Sequence, residues 1–241
     1  MFSTTMKLAL SLGLLLASCS GIQSHSLSRR DVNLTDVLIN LCEGGGASFA
    51  AFGRVAVNFD GTLSDVHGGD VGVSPGTSIT GFTGTPVTSA VAITFAAHAL
   101  SDHTDLTDED TDDDMGGAVE LGGSTYTPGV HSADTSLTVS VNTQVTLKGE
   151  GDYLFQAGTT LTTGANANFV LQDDQGLAGD PDNFNIVWVL GTGATLGAGS
   201  IVPGTITAGT AITIGAGSGV TGCAIAQTSV VFSGGGCANC P

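Results

Sequence analysis

The chain has 241 residues and a net charge of −17, with 5 Lys and Arg against 22 Asp and Glu. That length suffices for one domain with a sizeable core, and that charge excludes nucleic acid and anionic membrane as partners, since both require cationic neutralisation. The 37 glycines lack the three-residue period of collagen and instead bracket short runs of Val, Ile, Leu and Thr, the pattern of many short strands joined by tight turns.

Residues 1–20 read as a secretory signal peptide: Lys7, the apolar run Leu8–Ala17, then the small residues Ser18, Cys19, Ser20 and Gly21. Such a run is too short to span a bilayer. The mature chain is therefore expected to be secreted, extracellular and free of membrane. Leu16–Cys19 also resembles a lipobox, which would place a lipid on Cys19. Residues 21–43 are expected to be a leader remnant, carrying a dibasic processing mark at Arg29-Arg30 and a glycosylation sequon at Asn33.

Four cysteines follow the signal: Cys42, Cys223, Cys237 and Cys240. An even number in an oxidising compartment points to disulfides, with three pairings open. The Cys237–Cys240 spacing also fits a redox dithiol or half a zinc site, but no helical sequence follows it, as a thioredoxin-type motif requires.

Residues 44–234 carry the domain. Gly72–Gly76, GVSPG, matches a nucleophile-elbow pattern; Pro75, however, lacks the N–H that such an elbow places in its oxyanion hole, and no helix follows. Next comes GTSITG, with Thr77, Ser78 and Thr80. Over residues 88–106 the spacing of Val91, Ala92, Phe95, Ala96, Ala99 and Leu100 predicts a helix whose alanines suit close docking. The acidic run Asp105–Asp114 disfavours a helix C-terminus and is read as a solvated loop. Its Asp108, Asp110 and Asp112 begin like a calcium loop, but Asp113 and Val119 occupy the positions where an EF-hand needs Gly and Glu. His67, His98, His103 and His131 lack metal-ligand spacing and read as surface or packing residues. No catalytic residue, metal or cofactor is expected.

The second half of the chain repeats. GTTLTTGA (Gly158–Ala165), GTGATLGA (Gly191–Ala198) and GTAITIGA (Gly209–Ala216) align as one unit, and the last two begin 18 residues apart. That period suits one turn of a β-solenoid with three short strands. Stacking would set Leu161, Ala194, Ile212 and Val230 in one inward column, and Thr163, Leu196, Ile214 and Phe232 in the next. Gly217–Gly222, GSGVTG, matches a dinucleotide fingerprint but has neither the helix nor the acidic residue that motif needs, so its glycines read as corners. Residues 235–241 are expected to be a cysteine-containing tail.

The outward side of the repeat is bare of charge. It carries Thr160 and Thr162, Gly193 and Thr195, Ala211 and Thr213, then Ser229 and Val231, with Thr159, Thr192, Thr210 and Thr228 at the corners; NTQVTL (Asn142–Leu147) follows the pattern loosely through Thr143 and Thr146. Threonine favours strands, but exposed strands normally carry charges against aggregation. Strands about 4.8 Å apart with alternate residues about 6.6 Å apart make a regular two-dimensional grid. Threonine supplies a hydroxyl to anchor water and a methyl to order it, so a grid of this kind suits a crystalline ligand, ice.

Gly69–Phe82, Glu120–His131, Tyr153–Leu171 and Val187–Ala226 together resemble the large microbial ice-binding protein family of polar and sea-ice organisms. The resemblance implies an all-β fold, a discontinuous right-handed parallel β-solenoid of triangular cross-section with one long α-helix packed alongside. It also implies a flat ice-binding face with T-A/G-x-T/N motifs. Thr192–Thr195 and Thr210–Thr213 match these directly, and Thr159–Thr162 and Thr77–Thr80 approximately; Val231 and Gln144 depart from them. The expected protein is a non-enzymatic monomer whose partner is the ice surface. A solenoid adhesin or cell-surface coat protein binding polysaccharide or protein is the alternative. A polysaccharide-acting β-helix enzyme would need clustered Asp, Arg or Lys, whereas Arg54 and Lys148 are the only cations after Arg30.

Overall fold

The computed structural model describes residues 49–60, 65–67, 69–82, 103–107 and 109–239, all within the unit Asn33–Pro241. The expected signal peptide and leader, Cys19, Arg30, Asn33, Cys42, Cys240 and residues 88–102 of the expected helix lie outside them.

The chain begins with β1 (Phe49–Gly53), β2 (Ala56–Asp60), β3 (Asp65–His67), β4 (Asp70–Val73) and β5 (Ser78–Thr80). After the helical residues 103–107 it runs through β6 (Asp113–Asp114), β7 (Val119–Glu120) and β8 (Thr125–Tyr126). That trio then recurs as β9 (Gly129–Ala133), β10 (Ser136–Val139) and β11 (Gln144–Lys148), and as β12 (Gly151–Ala157), β13 (Thr160–Thr163) and β14 (Asn168–Gln172). It continues through β15 (Phe184–Leu190), β16 (Gly193–Leu196) and β17 (Ile201–Val202), and β18 (Thr205–Ala208), β19 (Ala211–Ile214) and β20 (Gly219–Val220). The last trio is β21 (Ala224–Ala226), β22 (Ser229–Ser233) and β23 (Cys237–Asn239).

Each trio contributes one strand to each of three sides. The first is an eight-stranded sheet in the order β4-β1-β21-β18-β15-β12-β9-β6, and the second is β5-β2-β22-β19-β16-β13-β10-β7. The third side consists of β14-β11-β8 and β17-β20-β23-β3. Every strand pairing between these elements is parallel, as a coil that returns to the same side in the same direction requires.

Stacking order departs from chain order at one place. The coil of β1, β2 and β3 sits on the last coil, β21, β22 and β23, and β4 and β5 sit beyond it. β5 and β6 therefore lie at opposite ends of the stack, and the chain between them must cross seven strand spacings, roughly 34 Å. Helical residues 103–107 lie on that path. His103 Nδ1 is 3.1 Å from Thr207 Oγ1, and Gln156 Nε2 donates to the Leu106 and Glu109 carbonyls at 2.7 and 3.3 Å. The first of these contacts covers Thr207 on the outer side of the first sheet, where β18 is buried at every residue.

The core is mostly aliphatic under the second sheet, apart from Phe59 stacked on Phe232 at 4.6 Å, and aromatic under the first. Trp188 stacks on Phe155 at 4.3 Å between ring centroids and donates Nε1–H to the Pro203 carbonyl at 2.8 Å. His131 stacks on Phe155 as well, with Nε2 2.9 Å from the Thr127 carbonyl and Nδ1 3.3 Å from Asp113. His103 and His131 are thus packing residues, both buried.

The corner between the second and third sides repeats one turn. Asn142, Asn166, Gly199, Gly217 and Gly235 occupy equivalent positions, all with positive φ, a conformation open to glycine and tolerated by asparagine. Asn166 Nδ2 donates to Asn142 Oδ1 at 3.1 Å, joining the two asparagine corners. Gly217, first of the fingerprint-like glycines, is such a corner, and the chain continues into β20 and β21 without a helix.

Three boundaries differ from expectation. The described helical residues, 103–107, run one residue past the expected end. The acidic run is not wholly a loop: Asp113 and Asp114 form edge strand β6, paired with His131 and Ser132, because an edge strand can turn carboxylates to solvent while its backbone pairs on one side. Residues 235–241 are not simply a tail, since β23 pairs with both β20 and β3.

Candidate surface-binding face

Alternation along the second sheet separates core from solvent. Leu161, Ala194, Ile212 and Val230 are register partners on successive strands, as are Thr163, Leu196, Ile214 and Phe232, and all are buried. The residues between them point the other way. One outward row reads Ser136, Thr160, Gly193, Ala211, Ser229, Ala56, Ser78; the next reads Thr138, Thr162, Thr195, Thr213, Val231, Asn58, Thr80.

A third row runs along the corner before each strand. The amide of Thr159 donates to the Thr135 carbonyl at 2.6 Å, Thr192 to Thr159 at 2.7 Å, Thr210 to Thr192 at 2.6 Å, Thr228 to Thr210 at 2.7 Å, and Val55 to Thr228 at 2.7 Å. Thr77 immediately precedes β5. The fourteen residues singled out from sequence therefore fall on one side of one sheet: Thr77, Ser78, Thr80, Thr159, Thr160, Thr162, Thr192, Gly193, Thr195, Thr210, Ala211, Thr213, Thr228 and Ser229.

Small residues floor the centre. A Cβ on Gly193 would collide with the Ala211 carbonyl oxygen, so this position accepts only glycine without a shift of the backbone. From Thr138 to Thr80 the two strand rows hold no ionisable group. Charges stand at the margins, Asp60 two residues beyond Asn58 and Glu120 beside Thr138 on β7. Burial opposes ionisation of Glu120, but the Ser140 hydroxyl and amide (2.6 and 2.9 Å) and the Gly122 amide (2.8 Å) outweigh it and hold the carboxyl below its usual range.

Some of this face escaped the sequence reading, and one segment was misplaced. Thr135-Ser136-Leu137-Thr138 has the same T-x-x-T form as Thr77–Thr80 and was there to be found. Val55, Ala56 and Asn58 lie between Val231 and Thr80 only because the first coil stacks on the last. Gln144–Lys148, by contrast, is β11 on the third side, so Thr146 does not belong to these rows. Of the cysteines, Cys223 is disulfide-bonded and Cys237 lies on β23. No group of three or more His, Cys, Asp or Glu suited to a metal occurs among the described residues; Asp173 and Asp180 accept instead from the local amides of Leu177 and Asp182.

The described residues thus form a parallel β-solenoid whose second sheet carries outward rows of threonine and small residues without an ionisable group. Residues 52–234 match the model of the ice-binding-like family, and the chain belongs to that family, a non-enzymatic one. It is 34% identical over 148 residues to an ice-binding protein of Nostoc sp. (strain HG1), a match covering 57% of this chain and 51% of the relative. The chain thus spans about half the length of that curated relative. Among solved structures, the ice-binding protein of the Antarctic ascomycete Antarctomyces psychrotrophicus superposes with a TM-score of 0.72 at 27% identity, covering 82% of this chain and 97% of the other. An ice binding protein from an Antarctic Biological Consortium gives 0.71 at 26%, covering 91% and 94%. No helix among the described residues is long and apolar enough to cross a membrane.

Proposed function

We propose that the chain adsorbs to ice through the outward side of its second sheet, around the coils of β13, β16, β19 and β22 and reaching to Thr77, Ser78 and Thr80 on and before β5. The observation that carries the reading is the unbroken register Thr162–Thr195–Thr213, with Thr159, Thr192, Thr210 and Thr228 along the corner beside it. Ionised side chains orient water in ways a lattice does not accept. Here the rows offer hydroxyls, methyls and bare backbone on strand spacings of about 4.8 Å, a flat grid on which water takes fixed positions.

Adsorbed molecules pin the crystal surface, so growth is confined to curved fronts between them; the local freezing point falls and recrystallisation slows. The reading includes a right-handed coil, the sense that twisted parallel strands favour, a triangular section and a long helix ending at residue 107. It also includes a secreted monomer that needs no cofactor. Membership of the ice-binding-like family and the likeness to the two solved ice-binding proteins support it.

The test is ice shaping, thermal hysteresis and recrystallisation inhibition by the wild type and by Thr213→Tyr. The expected result is faceted crystals with the wild type and loss of shaping with the variant. Unshaped crystals with the wild type, together with association to polysaccharide or protein in the absence of ice, would overturn the reading in favour of an adhesin.

A further inference from the structure

The threonines of this side are not chemically equivalent. A threonine hydroxyl has a single proton to donate. Thr138 gives it to the Val119 carbonyl at 3.0 Å, Thr159 to the Thr135 carbonyl at 2.7 Å and Thr80 to Asn58 Oδ1 at 3.0 Å. The side chains of Thr192, Thr195, Thr210 and Thr213 make no hydrogen bond to any described residue. Only in the coils of β16 and β19 do both the corner threonine and the strand threonine keep the proton while the residue between them is as small as Gly193 or Ala211.

We infer that water is anchored chiefly by the four threonines Thr192, Thr195, Thr210 and Thr213, and that Thr138, Thr159 and Thr80 frame this patch without fixing water as donors. The inference rests on the proposed reading of the second sheet and deepens it by ranking its residues. A hydroxyl that both donates to and accepts from water fixes the position and the orientation of its neighbours. One already donating to the protein can only accept, and the water above it stays free to rotate. The floor reinforces the difference: Gly193 is packed against the Ala211 carbonyl, so no side chain stands between Thr192 and Thr195. At either end the pattern is lost, to Val231 on β22 and to Glu120 on β7 beside Thr138.

Replacing threonine by valine removes the hydroxyl and keeps the shape, so it separates the two kinds of position. Thermal hysteresis at equal concentration is compared for wild type, Thr195→Val, Thr138→Val and Thr195→Tyr, with far-UV circular dichroism and melting confirming the fold of each. Thr195→Val is expected to lose several-fold, and Thr138→Val to stay within about 1.5-fold of wild type, since its hydroxyl was committed to protein already. Equal losses from the two valine variants, or no loss from Thr195→Val while Thr195→Tyr abolishes activity, overturn the ranking and leave the binding side intact. Full activity of Thr195→Tyr overturns the binding side itself, and the ranking with it.

Discussion

Thr195 and Thr213 are register partners on adjacent parallel strands, both turned away from the core, while the residues just before them, Ala194 and Ile212, are partners inside it. One step along the backbone separates the packed surface from the bare one. An outward substitution here therefore tests binding without opening the core. Thr195→Lys is expected to keep the wild-type melting temperature within a few degrees and to lower thermal hysteresis at least about five-fold, as a charge at the centre of a contact does. Melting curves and hysteresis on one preparation check both halves.

Gly193 has the opposite character, because it is buried against backbone. Gly193→Val drives a branched side chain at the Ala211 carbonyl. The expected cost is about 1–3 kcal/mol of stability, with loss of ice shaping as the β16–β19 register is disturbed. Urea denaturation reads the first and crystal morphology the second.

Trp188 is fully buried against Phe155. Truncation to alanine leaves a cavity and strips the Pro203 carbonyl of its donor, an expected loss of about 3–5 kcal/mol by denaturant titration.

Gln156 ties the first sheet to the end of the helical segment through the Leu106 and Glu109 carbonyls. Gln156→Leu removes the donor and leaves carbonyls without a partner, a cost of about 1–3 kcal/mol. Hydrogen exchange should show the loss first in residues 103–107, before the sheets open. Uniform acceleration across the chain would mean that this segment unfolds only with the whole.

Burial holds His103 below the ordinary histidine value of 6.5, so the unfolded chain binds this proton more tightly than the folded one. The stability tied to the neutral ring is complete above that value and is lost as pH falls through it towards the folded pKa. Between about pH 8 and about pH 5 the wild-type melting temperature is expected to fall more steeply than that of His103→Gln, which keeps a polar group for Thr207 and does not titrate. Parallel pH profiles for the two proteins would remove His103 from the account.

Much of this molecule is written in strictly local terms. Side chains alternate with a period of two, so Leu161, Ala194, Ile212 and Val230 announce their inward column and Thr162, Thr195 and Thr213 their outward row before any coil is stacked. Glycine and asparagine mark corners because few other residues accept positive φ. The 18-residue step declares three strands per turn for the same reason, since each unit repeats its own turns. Which coil lies on which is another matter. Asn58 joins Val231 and Thr80, β6 ends a sheet, β23 lies between β20 and β3, and Thr146 faces a different side, all through pairings between residues far apart in the chain. Backbone hydrogen bonding between parallel strands is nearly indifferent to sequence, so no local pattern selects the partner. The crossing of the chain from one end of the stack to the other, with Gln156 and Thr207 receiving it on the first sheet, makes that choice.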